Sequence, residues 1–573
     1  MIGPARTRVA DREDPPARQQ IRGTAPLRDL PRAWKCRWVC ITAVATVIAT
    51  MSDGILLQMR RGFFTGGFLA VNHLSGAPLT ALFVALSLAA DAAVTGVLAA
   101  IAVLAAGRLQ LSRREGVVAA LAVALLPIAI ADAIEYRLSE YFGDAFDLSL
   151  MFNLAGRRPT ELLAVSAGHL ALTGGAVMAV SLIAVSAAWL WRRRRTVDST
   201  VEQVPPLRAV AVPLLLLVVA LVSTTAARKR SDALDNGLRR KPSAMALGWM
   251  VDTITDFDRD GTGLLGRPSD PALFDARVRP YALDVPGNGV DEDGVAGDLP
   301  AGVPPYVEPD GAPVHWRSRQ DVVLFVLESF RADTRGAILN GHPVTPVLDA
   351  LAARGVAVAD AYSHNGYTVQ SRRHIFTGSV ADVRGPSTLI DDFNTNGYET
   401  AYFSGQDDSF GGAAGAVGFD RASVAYDARS DRNRRYSTFT TAGSLAVPWS
   451  VLLDRVTGFL EHRSPARPLF LYVNFEDTHF PYHHPGIAPL VSNTVVPESQ
   501  ITPENRDAVR ATYLNTAANV DRAIGTVLDR VRRTLGRDPA VIVLADHGES
   551  LFDEGFLGHG YALNEAQTHI PLF

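Results

Sequence analysis

Five apolar stretches, near 38-57, 78-106, 116-135, 162-191 and 209-225, constrain this chain more than any other feature. Each is close to or above the roughly 20 residues that cross a bilayer as a helix, so they predict a polytopic α-helical membrane bundle of about five spans. A cleavable signal peptide is a poor reading of the first stretch, because no small-x-small site stands cleanly after it and further spans follow. The chain has 573 residues and 48% hydrophobic composition, the apolar residues concentrated in the first 225. Domains typically hold about 100 to 200 residues, so a second domain is expected after the bundle.

Residues 1-35 are rich in Arg, Pro and Asp without apolar periodicity and read as a disordered basic cytoplasmic tail. With five spans, the Arg-rich amino terminus, Arg108 with Arg113 and Arg114, and Arg192 to Arg195 fall on one side. The positive-inside tendency makes that side cytoplasmic and places everything after Ala226 outside. Arg60-Arg61 and Arg228-Lys-Arg230 would then face outward, and one span fewer would reverse the sidedness. Asp91 and His169 are costly in lipid and serve either a lipid-substrate path or, the favoured reading, polar contacts inside the bundle. Cys36 and Cys40 are the only cysteines and read as small apolar fillers, which leaves no disulfide framework beyond them. The net charge of -4 and the lack of a long basic stripe with interleaved aromatics exclude nucleic acid as an expected partner.

A linker is expected over residues 227-316, between a bundle at 36-226 and a soluble domain at 317-573. In it Asp256, Asp258 and Asp260 alternate before Gly261, as oxygen ligands do in calcium loops. The twelfth position is Arg267, so the bidentate Glu of a standard EF-hand is missing. Asn288, Asp291 and Asp293 repeat the theme, and the two parts look like the Asp-rich calcium repeats of some secreted proteins without their cysteines. Calcium binding and a plain acidic, Gly/Pro-rich linker both stay open.

In the soluble half, Asp321-Val-Val-Leu-Phe-Val-Leu-Glu328 and Ala540-Val-Ile-Val-Leu-Ala-Asp546-His547 are short β-branched runs that end in metal-capable side chains. Such runs predict strands buried on both faces of a parallel sheet. Open α/β sheets bind ligands at the carboxyl ends of their strands, so Glu328, Asp546 and His547 are candidates to surround one ion. Residues 400-404 and 469-475 read as further strands, and 345-355 as a helix with first-turn Pro346 and C-terminal Gly355. The stretch after Thr502 to Leu535 sets Val509, Tyr513, Ala517, Val520, Ile524, Val527 and Val531 on one face, the pattern of a covering helix. Strands alternating with helices predict an α/β fold with helices on both faces.

Val-Leu-Glu328-Ser, Thr368-x-x-Ser371-Arg372, Asp546-His547-Gly-Glu549 and His559-Gly together resemble the sulfatase-like branch of the alkaline phosphatase superfamily. Within that branch the pattern is most similar to lipoteichoic acid synthases and phosphoethanolamine transferases. The resemblance covers roughly Arg317 to Phe573 and the general layout of the membrane part. It implies a multi-pass enzyme of the cell (inner) membrane with an extracytoplasmic catalytic domain. It also implies a threonine nucleophile, Thr368, and a divalent metal (Mn, Mg or Zn) held by Glu328, Thr368, Asp546 and His547. By the same resemblance, Arg372 neutralises the transferring group, and His479 and His559 contact the substrate or leaving group. The implied partners are a membrane lipid donor of a phosphoryl-type head group and an extracytoplasmic glycan or lipid acceptor. Thr368 stands where formylglycine sulfatases need Cys or Ser, which disfavours an ordinary sulfatase.

A sulfuric or phosphoric ester hydrolase of the same superfamily is the first alternative, and a non-catalytic calcium-binding membrane protein that retains the fold is the second. His483 and His484 read as solvated or rim residues, and Asp333 and Glu549 as groups supporting the ligands. The terminal Thr568-His-Ile-Pro-Leu-Phe573 looks like the start of another strand, so the domain is expected to continue beyond it.

Overall fold

The computed structural model describes residues 32–56, 69–108, 113–142, 208–266, 268–280, 282–294, 297–302, 316, 319–380, 387–409, 412–436, 446–560 and 562–573. Four long helices open it: α1 (Arg32–Leu56), α2 (Ala77–Arg108), α3 (Arg113–Phe142) and α4 (Arg208–Arg230). Three contain segments long and apolar enough to cross a membrane: Ala77–Ala106, Glu115–Ala133 and Ala211–Arg230. The apolar part of α1 is the shorter Ile41–Ile55. The expected span near 162–191 and His169 lie outside the described residues.

Asp91 of α2 is fully buried, and its carboxylate accepts hydrogen bonds from Ser243 and Thr50 and pairs with Lys241 at 2.8 Å. Asp53 pairs with the same Lys241. A buried charge in an apolar bundle is tolerable only when matched in this way. Lys241 arrives from outside the long helices, between two short ones, α5 (Asp232–Arg239) and α6 (Pro242–Thr255).

The second half contains a five-stranded, wholly parallel sheet built from β1 (Val322–Leu327), β2 (Glu399–Ser404), β3 (Val424–Tyr426), β4 (Leu469–Phe475) and β5 (Ala540–Ala545). The order is β3-β2-β4-β1-β5, so the two strands that carry the expected metal ligands are neighbours. Their register aligns Leu327 with Ala545, which brings Glu328 level with Asp546.

Alternation along β1 explains why the strand is apolar throughout. Val323, Phe325 and Leu327 enter a core with α9 (Trp449–His462) and α10 (Arg506–Leu535). Leu324 and Val326 enter the opposite core with Phe376, Ile390 and Phe393. All seven residues expected on one face of α10 are fully buried, and at roughly 1.5–3 kcal/mol per large apolar side chain this face fixes the helix on the sheet. The helix over 345–355 is α7 (Pro346–Arg354), with Gly355 at its end as expected. The last residues extend along the edge strand, where the Phe573 N–H donates to Val543 O at 2.9 Å.

Candidate metal and nucleophile site

Two strand ends and one helix start converge. Glu328 directly follows β1, and its backbone is fixed by its own N–H to Phe475 O (2.9 Å) and by Thr478 Oγ1 donating to its carbonyl (2.6 Å). Asp546 directly follows β5, and its Oδ1 accepts from Ser329 N (3.2 Å) and His547 N (2.8 Å). Thr368 opens α8 (Thr368–Thr377). Its Oγ1 lies 3.1 Å from Glu328 Oε1 and 3.3 Å from His547 Nε2. His547 Nδ1 lies 2.9 Å from its neighbour's carbonyl, Gly548 O, and donates there, so Nε2 faces the cluster. That nitrogen is 3.3 Å from Glu328 Oε1 and 3.6 Å from Asp546 Oδ2.

Charge in this cluster is unbalanced. Burial alone would push Glu328 up, yet the His547 charge holds its carboxyl well below the usual range. Burial and the Glu328 charge push Asp546 well above it. Burial disfavours the His547 cation, but Asp546 and Glu328 outweigh that and raise it to about 10. Two carboxylates thus compete for one proton.

Glu328 Oε2 and Asp546 Oδ2 are buried and have no hydrogen-bond partner among the described residues. Such bare oxygens cost several kcal/mol unless a cation meets them. Ligand atoms of Glu328, Asp546 and His547 lie within 4.8 Å of one another. With Thr368 Oγ1 they make an oxygen-rich set with one nitrogen, which fits a divalent cation.

The two other expected histidines are at the same place. His479 and His559 have ring centroids 5.2 Å apart, and His559 stacks obliquely over His547 at 4.2 Å. Ligand atoms of Glu328, His479 and His559 also fall within 4.8 Å of one another. His559 Nδ1 is 2.7 Å from Glu549 Oε2, so Glu549 orients it; burial, then the His547 charge, lowers the His559 pKa. Gly560, at φ +82°, lets the His559 loop close on the start of α8: a Cβ there would meet Tyr367 Cε1 at 2.3 Å, and Tyr367 OH donates to Gly560 O at 2.6 Å.

Arg372 is not brought into this cluster. Its side chain is fully buried and pairs with Asp408 through Nη1 (2.8 Å) and Nη2 (3.0 Å), with Gln406 Oε1 also accepting from it at 2.9 Å. Its charge is matched inside the domain, and it holds α8 to the loop after β2. His484 corrects another expectation: it is buried, stacks on Tyr436 and lies 2.8 Å from Asp477 Oδ1, so it is neither solvated nor at a rim. Asp333 pairs with Arg331 and Arg510.

Glu476 was missed. It directly follows β4, is 2% exposed, and burial together with the Glu328 and Asp546 charges raises its pKa well above the usual range. The signal was present, since Leu469–Phe475 is an apolar run ending in a carboxylate like the other two.

In the linker, Asp256, Asp258 and Asp260 form one acidic group, and Asp284, which the sequence reading did not name, joins Asp291 and Asp293 in another. Asn288 Nδ2 donates to Glu292 Oε1 at 2.6 Å, and its Oδ1 accepts from Val290 N at 2.7 Å.

The family model described as Sulfatase matches residues 320–573. Comparison with curated proteins gave no match. Among solved structures, the chain is similar to the integral membrane lipooligosaccharide phosphoethanolamine transferase A of Neisseria meningitidis, at 18% identity over 92% of this chain and 87% of that one, TM-score 0.46. The soluble domain of the Neisseria meningitidis transferase matches at 24% identity over 45% of this chain and 78% of that one, TM-score 0.34. The lipoteichoic acid synthase LtaP of Listeria monocytogenes matches at 16% identity over 46% and 67%, TM-score 0.35.

Proposed function

Because residues 320–573 are a sulfatase-family domain of the alkaline phosphatase superfamily, we propose that this chain is a membrane-bound, metal-dependent transferase. In this reading Thr368 carries a phosphoryl-type head group from a lipid donor to an extracytoplasmic glycan or lipid acceptor. In this reading a tail (1-35), a bundle (36-226), a linker (227-316) and a catalytic domain (317-573) divide the chain, with helix α1 beginning at Arg32 within the expected tail and α4 ending at Arg230 within the expected linker. The bundle anchors the enzyme in the cell membrane and the catalytic domain works outside.

One observation supports the reading above the rest. A helix-initial hydroxyl sits 3.1 and 3.3 Å from two candidate ligands, beside two bare carboxylate oxygens. Glu328, Thr368, Asp546 and His547 would hold the cation. When bound, it would lower the pKa of the Thr368 hydroxyl and balance charge that develops during transfer.

Thr368 Oγ1 passes its proton to Glu328 Oε1, 3.1 Å away, and attacks phosphorus in line, forming a Thr368 ester as the bond to the lipid alcohol breaks. Backbone N–H groups in the first turn of α8 face the transferring anion. His559, with Nδ1 fixed by Glu549, and His479, whose Nδ1 lies 2.9 Å from Phe480 O and donates to it, each keep Nε2 available. One of the two, carrying a proton on Nε2 when the donor binds, gives it to the departing alcohol, and the same nitrogen takes one back from the acceptor, whose oxygen or nitrogen then receives the group. Arg372 and Asp408 hold α8 in place during both steps.

Turnover assays with an aryl phosphate, an aryl sulfate, labelled phosphatidylglycerol and labelled phosphatidylethanolamine test this reading, together with metal analysis of the purified chain. Head-group transfer to an added acceptor is expected, with the metal lost in Glu328→Ala and Asp546→Ala. Release to water alone would make the enzyme a hydrolase. No turnover of any of the four would leave a fold-retaining, non-catalytic protein.

A further inference from the structure

The linker's first acidic loop folds back on the helix it leaves. Asp256 caps the end of α6, and the loop is tied to the bundle-side helices at three points. Asp252 Oδ1 accepts from Leu265 N (3.1 Å), Thr255 Oγ1 accepts from Leu264 N (2.9 Å), and Arg239 Nη2 donates to Leu265 O (2.7 Å).

Within the loop three carboxylates are arranged alike. Asp258 Oδ1 accepts from Asp260 N (3.3 Å), Asp260 Oδ1 from Thr262 N (2.7 Å), and Asp270 Oδ1 from Ala272 N (2.7 Å). One oxygen of each is thereby fixed by backbone. The other oxygens, Asp258 Oδ2, Asp260 Oδ2 and Asp270 Oδ2, are buried without a hydrogen-bond partner among the described residues, as is Asp256 Oδ1.

Ligand oxygens of Asp256, Asp258 and Asp260 lie within 4.8 Å of one another. Asp270 is the residue that the sequence pattern does not reveal. Its N–H donates to Gly263 O at 3.1 Å, which swings it back to the loop, and it is only 7% exposed. Burial raises its pKa, and the charges of Asp260, Asp258 and Asp256 push the same way. Four carboxylates, each with one buried oxygen that has no hydrogen-bond partner and none in an ion pair among the described residues, call for a hard divalent cation.

We infer that Asp256, Asp258, Asp260 and Asp270 bind one calcium ion, Asp270 supplying the ligand that Arg267, at the twelfth position, cannot. An all-oxygen set on a loop suits calcium, which accepts irregular geometry, better than magnesium, which demands a near-ideal octahedron. The ion ties the end of α6 to residue 270 and so stiffens the start of the connection between bundle and catalytic domain. The site is independent of the catalytic reading.

The test is equilibrium dialysis of the full chain in detergent micelles against radiolabelled calcium after chelator washing, done in a Glu328→Ala background so that the catalytic centre contributes nothing. Glu328→Ala alone is expected to retain the ion and to melt at a higher temperature with calcium than with chelator. Adding Asp260→Asn or Asp270→Asn, each of which keeps an oxygen for the backbone contact, is expected to weaken uptake on the order of tenfold or more and to abolish the melting shift. Asp291→Asn is expected to leave both unchanged. Absence of uptake, uptake that survives both Asp260→Asn and Asp270→Asn, or uptake lost with Asp291→Asn alone would overturn the inference.

Discussion

His559 Nδ1 lies 2.7 Å from Glu549 Oε2, while Tyr482 OH donates to the other oxygen of that carboxylate at 2.7 Å. Glu549 is fully buried, so the imidazole has one orientation and one tautomer, with Nδ1 as donor and Nε2 turned to the site. Replacing Glu549 by Gln removes the charge that fixes this arrangement. Turnover of the lipid donor is expected to fall roughly 10- to 100-fold with metal content unchanged. Full turnover in Glu549→Gln would mean that His559 is not used in the reaction.

Arg372 and Asp408 form a fully buried ion pair, and removing one partner leaves the other charge uncompensated. Arg372→Ala is expected to destabilise the catalytic domain by about 3–5 kcal/mol, measured by chemical denaturation. Arg372→Met with Asp408→Asn should recover much of that loss. Were Arg372→Ala as stable as wild type but inactive, the guanidinium would belong to the chemistry instead.

Burial, aided by the charges of Arg373 and His364, pushes His374 down to about 4 from its ordinary 6.5. A base with a depressed folded-state pKa stays neutral in the fold while the unfolded chain takes up a proton. Its contribution is therefore intact above pH 6.5 and is lost as pH falls toward 4. His374→Gln should lose less stability than wild type across that window and match its pH dependence above it. Parallel acid limbs in the two proteins would contradict this placement of His374.

Gly560 has a positive φ and stands where a Cβ would meet the Tyr367 ring. Gly560→Ala is expected to cost about 1–3 kcal/mol and to separate the His559 loop from the start of α8. The expected kinetic mark is a drop in kcat larger than the change in metal affinity.

The sheet and its covering helix were legible because burial on two faces demands unbroken apolar strands, and burial on one face demands a helical stripe. β1, β5 and α10 carry those patterns with little ambiguity. Glu328, Asp546 and His547 were legible for the same reason, since strand neighbours bring strand ends together. What was hidden depends on contacts distant in sequence. Arg372 finds Asp408 in a loop 36 positions away, and Asp270 joins the Asp256 loop only after the chain turns back. His484 is fixed by Asp477 and Tyr436, which no spacing rule connects to it. Glu476 was overlooked although β4 ends as β1 and β5 do.

The most direct test of Thr368 as covalent carrier is intact-protein mass spectrometry after brief exposure to the lipid donor, followed by peptide mapping. Catalysis through this hydroxyl predicts a mass increase equal to the transferred group, located on the peptide containing Thr368, discharged by acceptor and absent in Thr368→Ala. Donor turnover by Thr368→Ala at the wild-type rate, or an adduct on any other residue, would contradict it.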